Sequence, residues 1–115
     1  MQRELVVRAM SGDHEAFTRL VDASVSRLYA VANMVLRDHE RAQDAVQEAL
    51  VAAWRDLRSL RDPDAWDAWT YRLTVWACYR QARKDRRRSL TETRVALDST
   101  DQTVGPRLPG IGVAE

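Results

Sequence analysis

The first 104 residues of this chain contain only one glycine, Gly12, and one proline, Pro63. Both residue types interrupt helices and build turns, so their scarcity favours long helices and argues against a turn-rich β fold. Each of the two also stands where a helix is predicted to end or to begin. We therefore expect an all-α fold, a compact bundle of about four helices.

Apolar residues at helical spacing and capping residues predict where these helices lie. Gly12 ends the first helix, and Asp13, Asp38 and Asp62 are well placed as N-caps of the following three, because a short side-chain oxygen accepts from the first free backbone N–H groups. The predicted spans are approximately residues 2–11, 14–37, 39–59 and 63–88.

The pattern changes after residue 88. Residues 89–115 show one weak apolar pairing, Val95 with Leu97, and their second half holds two prolines and three glycines. Such composition is typical of a flexible linker or tail. The sequence thus predicts a helical domain at 1–88 and a linker at 89–115, with no strand and no internal repeat.

Positive charge is concentrated in one short segment. The chain has a net charge of +1, but residues 80–88 carry six basic and one acidic side chain, whereas residues 1–79 carry 10 basic and 12 acidic ones. A local excess of this kind indicates contact with a polyanion rather than a generally basic protein.

The cysteine content indicates a reducing compartment. Cys78 is the only cysteine, so an intramolecular disulfide is excluded. We find neither a secretory signal pattern nor an apolar run of membrane-spanning length. These features predict a cytoplasmic protein.

The third predicted helix has two contrasting faces at about 100° per residue. Its core face consists of Ala42, Ala45, Val46, Ala49, Ala53 and Leu57. The opposite face is polar and partly acidic, and it consists of Asp44, Gln47, Glu48, Val51 and Arg55. Two interpretations stay open: an ordinary solvated surface, which is common, and a docking surface for a basic partner helix.

The fourth predicted helix also divides into two faces. An aromatic stripe, predicted to face the core, contains Trp66, Trp69, Leu73, Trp76 and Ala77. A second face contains Arg72, Val75, Tyr79, Arg83 and Arg86. Arginines beside aromatic rings suit phosphates and unstacked bases, although a solvated basic helix end is the alternative. Arginine outnumbers lysine five to one in residues 80–88, which favours bidentate phosphate contacts.

Catalytic and metal chemistry have little support. His14 and His39 lie far apart in the sequence, and Cys78 has no neighbouring ligand. Asp44 and Glu48 share a helix face, but no histidine joins them, so a solvated pair is the simpler interpretation. There is no glycine-rich phosphate loop. We expect neither enzymatic activity nor a cofactor.

Three motifs occur in order along the chain: GDHEAF at residues 12–17, DAVQE at 44–48 followed by Ala53-Trp54, and AWTYR at 68–72. Together they resemble region 2 of bacterial RNA polymerase sigma factors, in particular the extracytoplasmic-function type. The resemblance covers about residues 3–88. It implies a helical domain that recognises promoters in transcription initiation, without catalysis.

The resemblance also implies partners and contact residues. In the family, the motif helix docks on the clamp helices of the β′ subunit of core RNA polymerase; the matching residues here are Asp44, Gln47, Glu48, Val51 and Arg55. The next loop and helix hold the −10 promoter element as an unpaired non-template strand with one base flipped out. The residues that match these DNA contacts are Arg58, Arg61, Trp66, Trp69, Tyr71, Arg72 and Trp76, with Arg80, Arg83 and Arg87 on the DNA backbone. An anti-sigma factor is a further implied partner.

Two positions depart from the family pattern. Trp76 stands where the family usually has a base-recognising asparagine, and Arg80 stands where an acidic or polar residue is frequent. An indole cannot supply the paired hydrogen bonds of an amide, so the family's base preference does not carry over to this chain.

The resemblance further predicts a second, helix-turn-helix domain for the −35 element, and we therefore expect this chain to be a fragment of a longer sigma factor. A helical protein-interaction module without DNA binding is the main alternative. A membrane-surface helix at residues 66–88 is a weaker one.

Overall fold

The computed structural model describes the backbone of residues 1–100 and the side chains of residues 1–93. Four α-helices make up this part of the chain, with two single turns of 3-10 helix between the last two. The helices are α1 Gln2–Met10, α2 His14–Leu36, α3 His39–Arg55 and α4 Trp66–Thr100, and the 3-10 turns are Leu57–Ser59 and Pro63–Ala65. No strand occurs within residues 1–100, so the all-α prediction is confirmed.

The predicted N-caps are present. One carboxylate oxygen of Asp13 accepts from the backbone N–H groups of Glu15 and Ala16 at 3.0 and 3.2 Å. Asp38 caps α3 in the same way, and Asp62 caps the 3-10 turn that precedes α4. These bonds satisfy N–H groups that have no partner within the helix, and they fix where each helix begins.

Two predicted helix ends are wrong. The third helix ends at Arg55, and three of the four remaining residues of the predicted helix form the 3-10 turn Leu57–Ser59 instead. The fourth continues to Thr100 rather than stopping near Arg88. Residues 89–100 contain no glycine or proline and include several good helix formers, so the backbone keeps its helical bonding although no apolar stripe marks it. The rest of the predicted linker lies outside the described residues.

The chain forms two compact units, Met1–Tyr79 and Arg80–Glu115. The first unit contains two clusters of buried side chains. One joins α2, α3 and α4 through Leu28, Ala32, Ala42, Ala45, Val46, Ala49, Ala77 and Cys78. The other joins α1, α2, the α3–α4 connection and the first residue of α4 through Val6, Ala9, Ala16, Leu20, Leu57, Leu60 and Trp66.

The alanine-rich face of α3 packs as predicted. All six residues assigned to it, from Ala42 to Leu57, are buried. Small side chains allow the helix to lie close to its neighbours, and the opposite face of α3 is left pointing to solvent. The first cluster therefore determines which α3 residues can meet a partner.

Candidate functional site

The exposed face of α3 carries the residues assigned to polymerase contact. Asp44, Gln47 and Arg55 are exposed, and Glu48 is half-buried. Val51 lies among them with 58% of its surface exposed. The guanidinium of Arg55 contacts the carboxylate of Asp56 at 3.3 Å. The face is thus a mixed surface of acidic, amide and apolar groups around Val51.

A groove of about 480 Å³ runs between α2 and α3 beside this face. Its lining is mainly apolar and amide, and it consists of Val25, Ser26, Tyr29, Gln43, Val46, Gln47 and Leu50. The Tyr29 hydroxyl lies 2.6 Å from Nδ1 of His39. This hydrogen bond holds the Tyr29 ring in place at the groove. Gln47 belongs to both the groove and the exposed face of α3, so the two form one continuous surface.

The α3–α4 connection presents two arginines from a fixed backbone. Leu57 and Leu60 are buried in the second cluster, whereas Arg58 and Arg61, each one residue later, are exposed. The alternation follows from the 3-10 turn, which places residues three apart on the same side. Arg58 and Arg61 are therefore directed to solvent from an anchored segment.

A salt bridge attaches the end of this connection to α1. The guanidinium of Arg3 lies 3.0 Å from the carboxylate of Asp64, and both side chains are largely exposed. Exposed pairs of this kind contribute little stability, so the buried leucines do most of the anchoring.

Trp66, the first residue of α4, is completely buried. Its indole N–H donates to the hydroxyl of Ser24 on α2 at 3.0 Å, and the ring of Phe17 packs edge-on at 6.2 Å. The sequence predicted both a core position and a DNA contact for Trp66. The structure confirms the core position, from which Trp66 fixes the end of the connection, and the DNA contact of Trp66 stays a prediction.

The other residues at the start of α4 are more accessible. Trp69 is half-buried, with its ring 5.9 Å from that of Trp66, whereas Tyr71 and Arg72 are exposed. Arg27 of α2 fixes this turn of the helix, because its guanidinium donates to Asp67 at 3.3 Å and to the Thr70 hydroxyl at 3.2 Å.

Trp76 does not pack in the core, contrary to the sequence prediction. It is 45% exposed, while Thr70 and Thr74 are buried on the core side of α4. Each threonine hydroxyl donates to the carbonyl four residues earlier, at 2.8 and 2.9 Å. This bond satisfies the hydroxyl and makes threonine acceptable in the core. The buried stripe is therefore rotated away from Trp76.

Four residues that position these surfaces were missed by the sequence analysis: Arg27, Ser24, Thr70 and Thr74. Ser24 left a signal, because it falls between Leu20 and Leu28 at helical spacing, and a polar residue on a buried stripe requires a hydrogen-bond partner. The sequence contains no signal that distinguishes Thr70 and Thr74 from threonines at the surface.

The second unit contains the arginine-rich segment. Arg80, Arg83 and Arg87, the residues assigned to the DNA backbone, are all exposed, and Arg86 is half-buried. They lie on the continuous helix α4, which spreads the positive charge along its length.

The reactive side chains of the described residues form no catalytic group. Burial raises the pKa of the Cys78 thiol to about 11, so the thiol stays protonated and unreactive. Within the part of the chain that the structure describes, no three His, Cys, Asp or Glu residues lie close enough to hold a metal ion. Nor does any helix of that part reach the length and apolarity needed to cross a membrane.

Comparison with known proteins identifies the family. The Sigma-70 region 2 family matches residues 20–88. ECF RNA polymerase sigma factor SigM of Mycobacterium tuberculosis is 33% identical over 81 residues, which is 70% of this chain and 41% of that protein. ECF RNA polymerase sigma-E factor of Haemophilus influenzae is 31% identical over 113 residues, which is 96% of this chain and 58% of that protein.

ECF RNA polymerase sigma-E factor of Escherichia coli is 40% identical over 73 residues, which is 62% of this chain and 37% of that protein. The chain thus spans roughly 40 to 60% of the length of these relatives. No solved structure matches the chain. Sigma factors are not enzymes, in agreement with the expectation from the sequence. The chain belongs to the Sigma-70 region 2 family, and its relatives are sigma factors of the ECF type.

Proposed function

We propose that this chain is the region 2 domain of an alternative sigma factor, which docks on core RNA polymerase and holds the unpaired −10 promoter strand during transcription initiation. The family match and the names of the relatives support the general role. The proposal assigns the exposed face of α3 to the polymerase. It assigns the α3–α4 connection and the exposed side of α4 to DNA.

The observation that carries the polymerase contact is the continuity of the α3 face with the α2–α3 groove. One exposed valine such as Val51 is ordinary on a solvated helix, but here the mainly apolar groove extends the apolar surface beyond that side chain. The acidic groups of Asp44 and Glu48 complement a basic partner helix, and the groove accepts an apolar side chain from it. Charges at the rim of such a contact select the partner and speed its encounter.

The DNA contact rests on the anchored arginines of the α3–α4 connection. Because Leu57 and Leu60 hold the backbone, Arg58 and Arg61 lose little backbone entropy when they bind phosphates. Flipping a base out of the stack costs a few kcal/mol, which stacking and phosphate contacts must offset. Trp69 and Tyr71, both accessible at the start of α4, provide rings for such stacking.

Charge reversal on α3 tests the polymerase contact. We expect Asp44→Arg to weaken binding to core RNA polymerase about tenfold or more, because the new charge faces a basic partner (like charges across an interface cost ~1.4 kcal/mol or more). Glu4→Arg, which makes the same charge change at an exposed position of α1, is the matched control and should bind normally. Affinity is measured with purified core polymerase, and circular dichroism checks the fold.

Equal affinity of Asp44→Arg and Glu4→Arg for core polymerase would contradict the assignment of the polymerase contact to α3. If Asp44→Arg loses affinity for core polymerase but the wild-type chain does not bind single-stranded DNA, the alternative function is favoured, a helical protein-interaction module without DNA binding. A regulator that covered the α3 face and the connection together would block both proposed contacts, which is the role of the anti-sigma partner implied by the resemblance.

A further inference from the structure

We propose that Arg27 of α2 is a positioning residue for DNA capture, which acts through Asp67 and Thr70 on the first turn of α4 and touches no DNA itself. The inference rests on the proposed function and deepens it, because it names what holds the proposed DNA residues of that turn in their binding orientation. The three motifs that carry the family resemblance include neither Arg27 nor Asp67.

The Arg27 guanidinium joins α2 to three acceptors at the start of α4. One terminal nitrogen donates to the carboxylate of Asp67 at 3.3 Å and to the hydroxyl of Thr70 at 3.2 Å, and the other donates to the Asp67 carbonyl at 3.5 Å. The Thr70 hydroxyl donates in turn to the carbonyl of Trp66 at 2.8 Å. A planar guanidinium with fixed N–H groups is suited to hold several acceptors in one arrangement. These bonds therefore connect α2 to both the side chains and the backbone of one helical turn.

A second contact from α2 holds the same part of α4. Ser24 accepts the indole N–H of Trp66 at 3.0 Å. Ser24 and Arg27 are three residues apart, so they lie on one side of α2, about one turn from each other. A single contact fixes the place of a helix but lets it turn about that point. Two contacts one turn apart also fix its orientation, and Arg27 supplies the second.

The orientation of this turn determines where the proposed DNA residues point. Trp69 is half-buried, and Tyr71 and Arg72 are exposed. All three follow Asp67 within about one and a half helical turns. A helix with its side chains is about 10–12 Å across, so a rotation of about 20° moves the tip of a side chain by about 2 Å. A displacement of this size is enough to disturb a binding site.

The fold itself does not depend on Arg27. The side chains of Arg27 and Asp67 are 38% and 64% exposed, and exposed ion pairs contribute little stability. Trp66, Thr70 and Ala77 are buried and keep α4 attached to the bundle without this pair. Loss of Arg27 should therefore change the orientation of the first turn in the folded protein rather than unfold the protein.

The charge of Asp67 gives the inference a sign that distinguishes it from simple electrostatics. Asp67 places a carboxylate four residues before Tyr71, on the same side of the helix as that proposed DNA contact. By charge alone, removal of this carboxylate should strengthen the binding of an anionic strand. If Asp67 is the residue through which Arg27 holds the turn, its removal should instead weaken binding.

The test measures the affinity of the full chain, in complex with core RNA polymerase, for a fluorescent pool of single-stranded oligonucleotides with a randomised segment. Arg27→Ala and Asp67→Ala should each weaken DNA binding about threefold or more. The double variant should lose no more than the more impaired single variant, because both changes break the same contact. The affinity for core polymerase should stay unchanged, since the exposed face of α3 is not altered. Circular dichroism and urea unfolding check that the variants are folded.

Arg19 and Glu15 provide a matched pair of control positions. Their side chains form an exposed ion pair at 3.7 Å, but both belong to α2, so this pair joins no second helix. Arg19→Ala and Glu15→Ala make the same charge changes as the two test variants and should keep the DNA affinity of the wild type. A loss in Arg19→Ala equal to that in Arg27→Ala would mean that only net charge matters, which would overturn the inference.

The outcomes separate the inference from the function on which it rests. If the wild-type complex holds no more single-stranded DNA than core polymerase alone, the proposed function fails and the inference fails with it. If the wild type binds DNA and Arg27→Ala binds equally well, the inference is overturned and the proposed function stands. If Arg27→Ala binds more weakly but Asp67→Ala binds more tightly, Arg27 acts by its charge and is not a positioning residue. A parallel loss of polymerase affinity in Arg27→Ala would mean that Arg27 supports the whole fold, which also overturns the inference.

Discussion

The indole N–H of Trp66 donates a hydrogen bond of 3.0 Å to the hydroxyl of Ser24, and both residues are buried. This bond joins the first residue of α4 to the middle of α2. It thereby secures one end of the α3–α4 connection, from which Arg58 and Arg61 project. A buried side chain thus determines where two proposed ligand contacts lie.

Removing the acceptor should destabilise the fold. Ser24→Ala leaves a buried N–H without a partner, which costs about 1–3 kcal/mol in the free energy of unfolding. Trp66→Phe removes the donor but also leaves a cavity, so it destabilises by itself. The decisive measurement is urea unfolding of both single variants and of the double variant. We expect Ser24→Ala to cost much less in the Trp66→Phe background, and strictly additive losses would show that the hydrogen bond is not the cause.

The cap at Asp13 should make α2 sensitive to acid. The backbone N–H of Ala16, and then the side chain of Arg8, hold the pKa of Asp13 below its ordinary value of 3.8. Because the folded pKa is the lower one, the stabilisation is complete above the unfolded pKa and is lost as the pH falls through the folded value.

Asp13→Ala should therefore lower the thermal unfolding midpoint at neutral pH. The difference from wild type should narrow as the pH falls below 3.8 and the wild-type carboxylate takes up its proton. Asp22→Ala, at an exposed position inside α2, should show a smaller effect at neutral pH. A difference for Asp13→Ala that stayed constant down to acid pH would exclude the charged cap as its source.

The arginines of the α3–α4 connection should contribute to salt-dependent DNA binding. Single strands release counterions with a logarithmic slope of about 0.7 per phosphate contact. Replacing Arg58 and Arg61 together by alanine should lower the slope by about 1.4. The double variant Arg19→Ala/Arg37→Ala loses the same charge from exposed positions on and beside α2 and should keep the slope. Equal slopes in the two double variants would mean that only net charge matters.

The residues that the sequence placed correctly are those governed by local rules. Asp13 and Asp38 cap helices because their neighbours are free N–H groups a few residues away, and the alanine face of α3 follows from helical spacing alone. Such features depend on nearby residues, so a periodic pattern is sufficient to predict them.

The features that the sequence does not predict depend on partners far along the chain or on hydrogen bonds from a side chain to the backbone of its own helix. Hydropathy favours Trp76 over Thr74 for the core, because tryptophan is apolar and threonine is polar. Thr74 nevertheless takes the buried position, since its hydroxyl donates to the carbonyl of Thr70. The buried position of Trp66 depends on Ser24, which lies forty-two residues earlier and accepts the indole N–H in the core. Neither of these two hydrogen bonds can be predicted from hydropathy alone.

The proposal that this chain captures an unpaired promoter strand is tested most directly by selection from DNA pools. Core RNA polymerase, with and without the chain, is incubated with single-stranded and duplex pools that share one randomised segment, and the retained DNA is sequenced. The account predicts that the chain adds retention of single strands over duplexes and enriches a shared short motif. Retention no greater than with core polymerase alone, or a preference for the duplex, would contradict it.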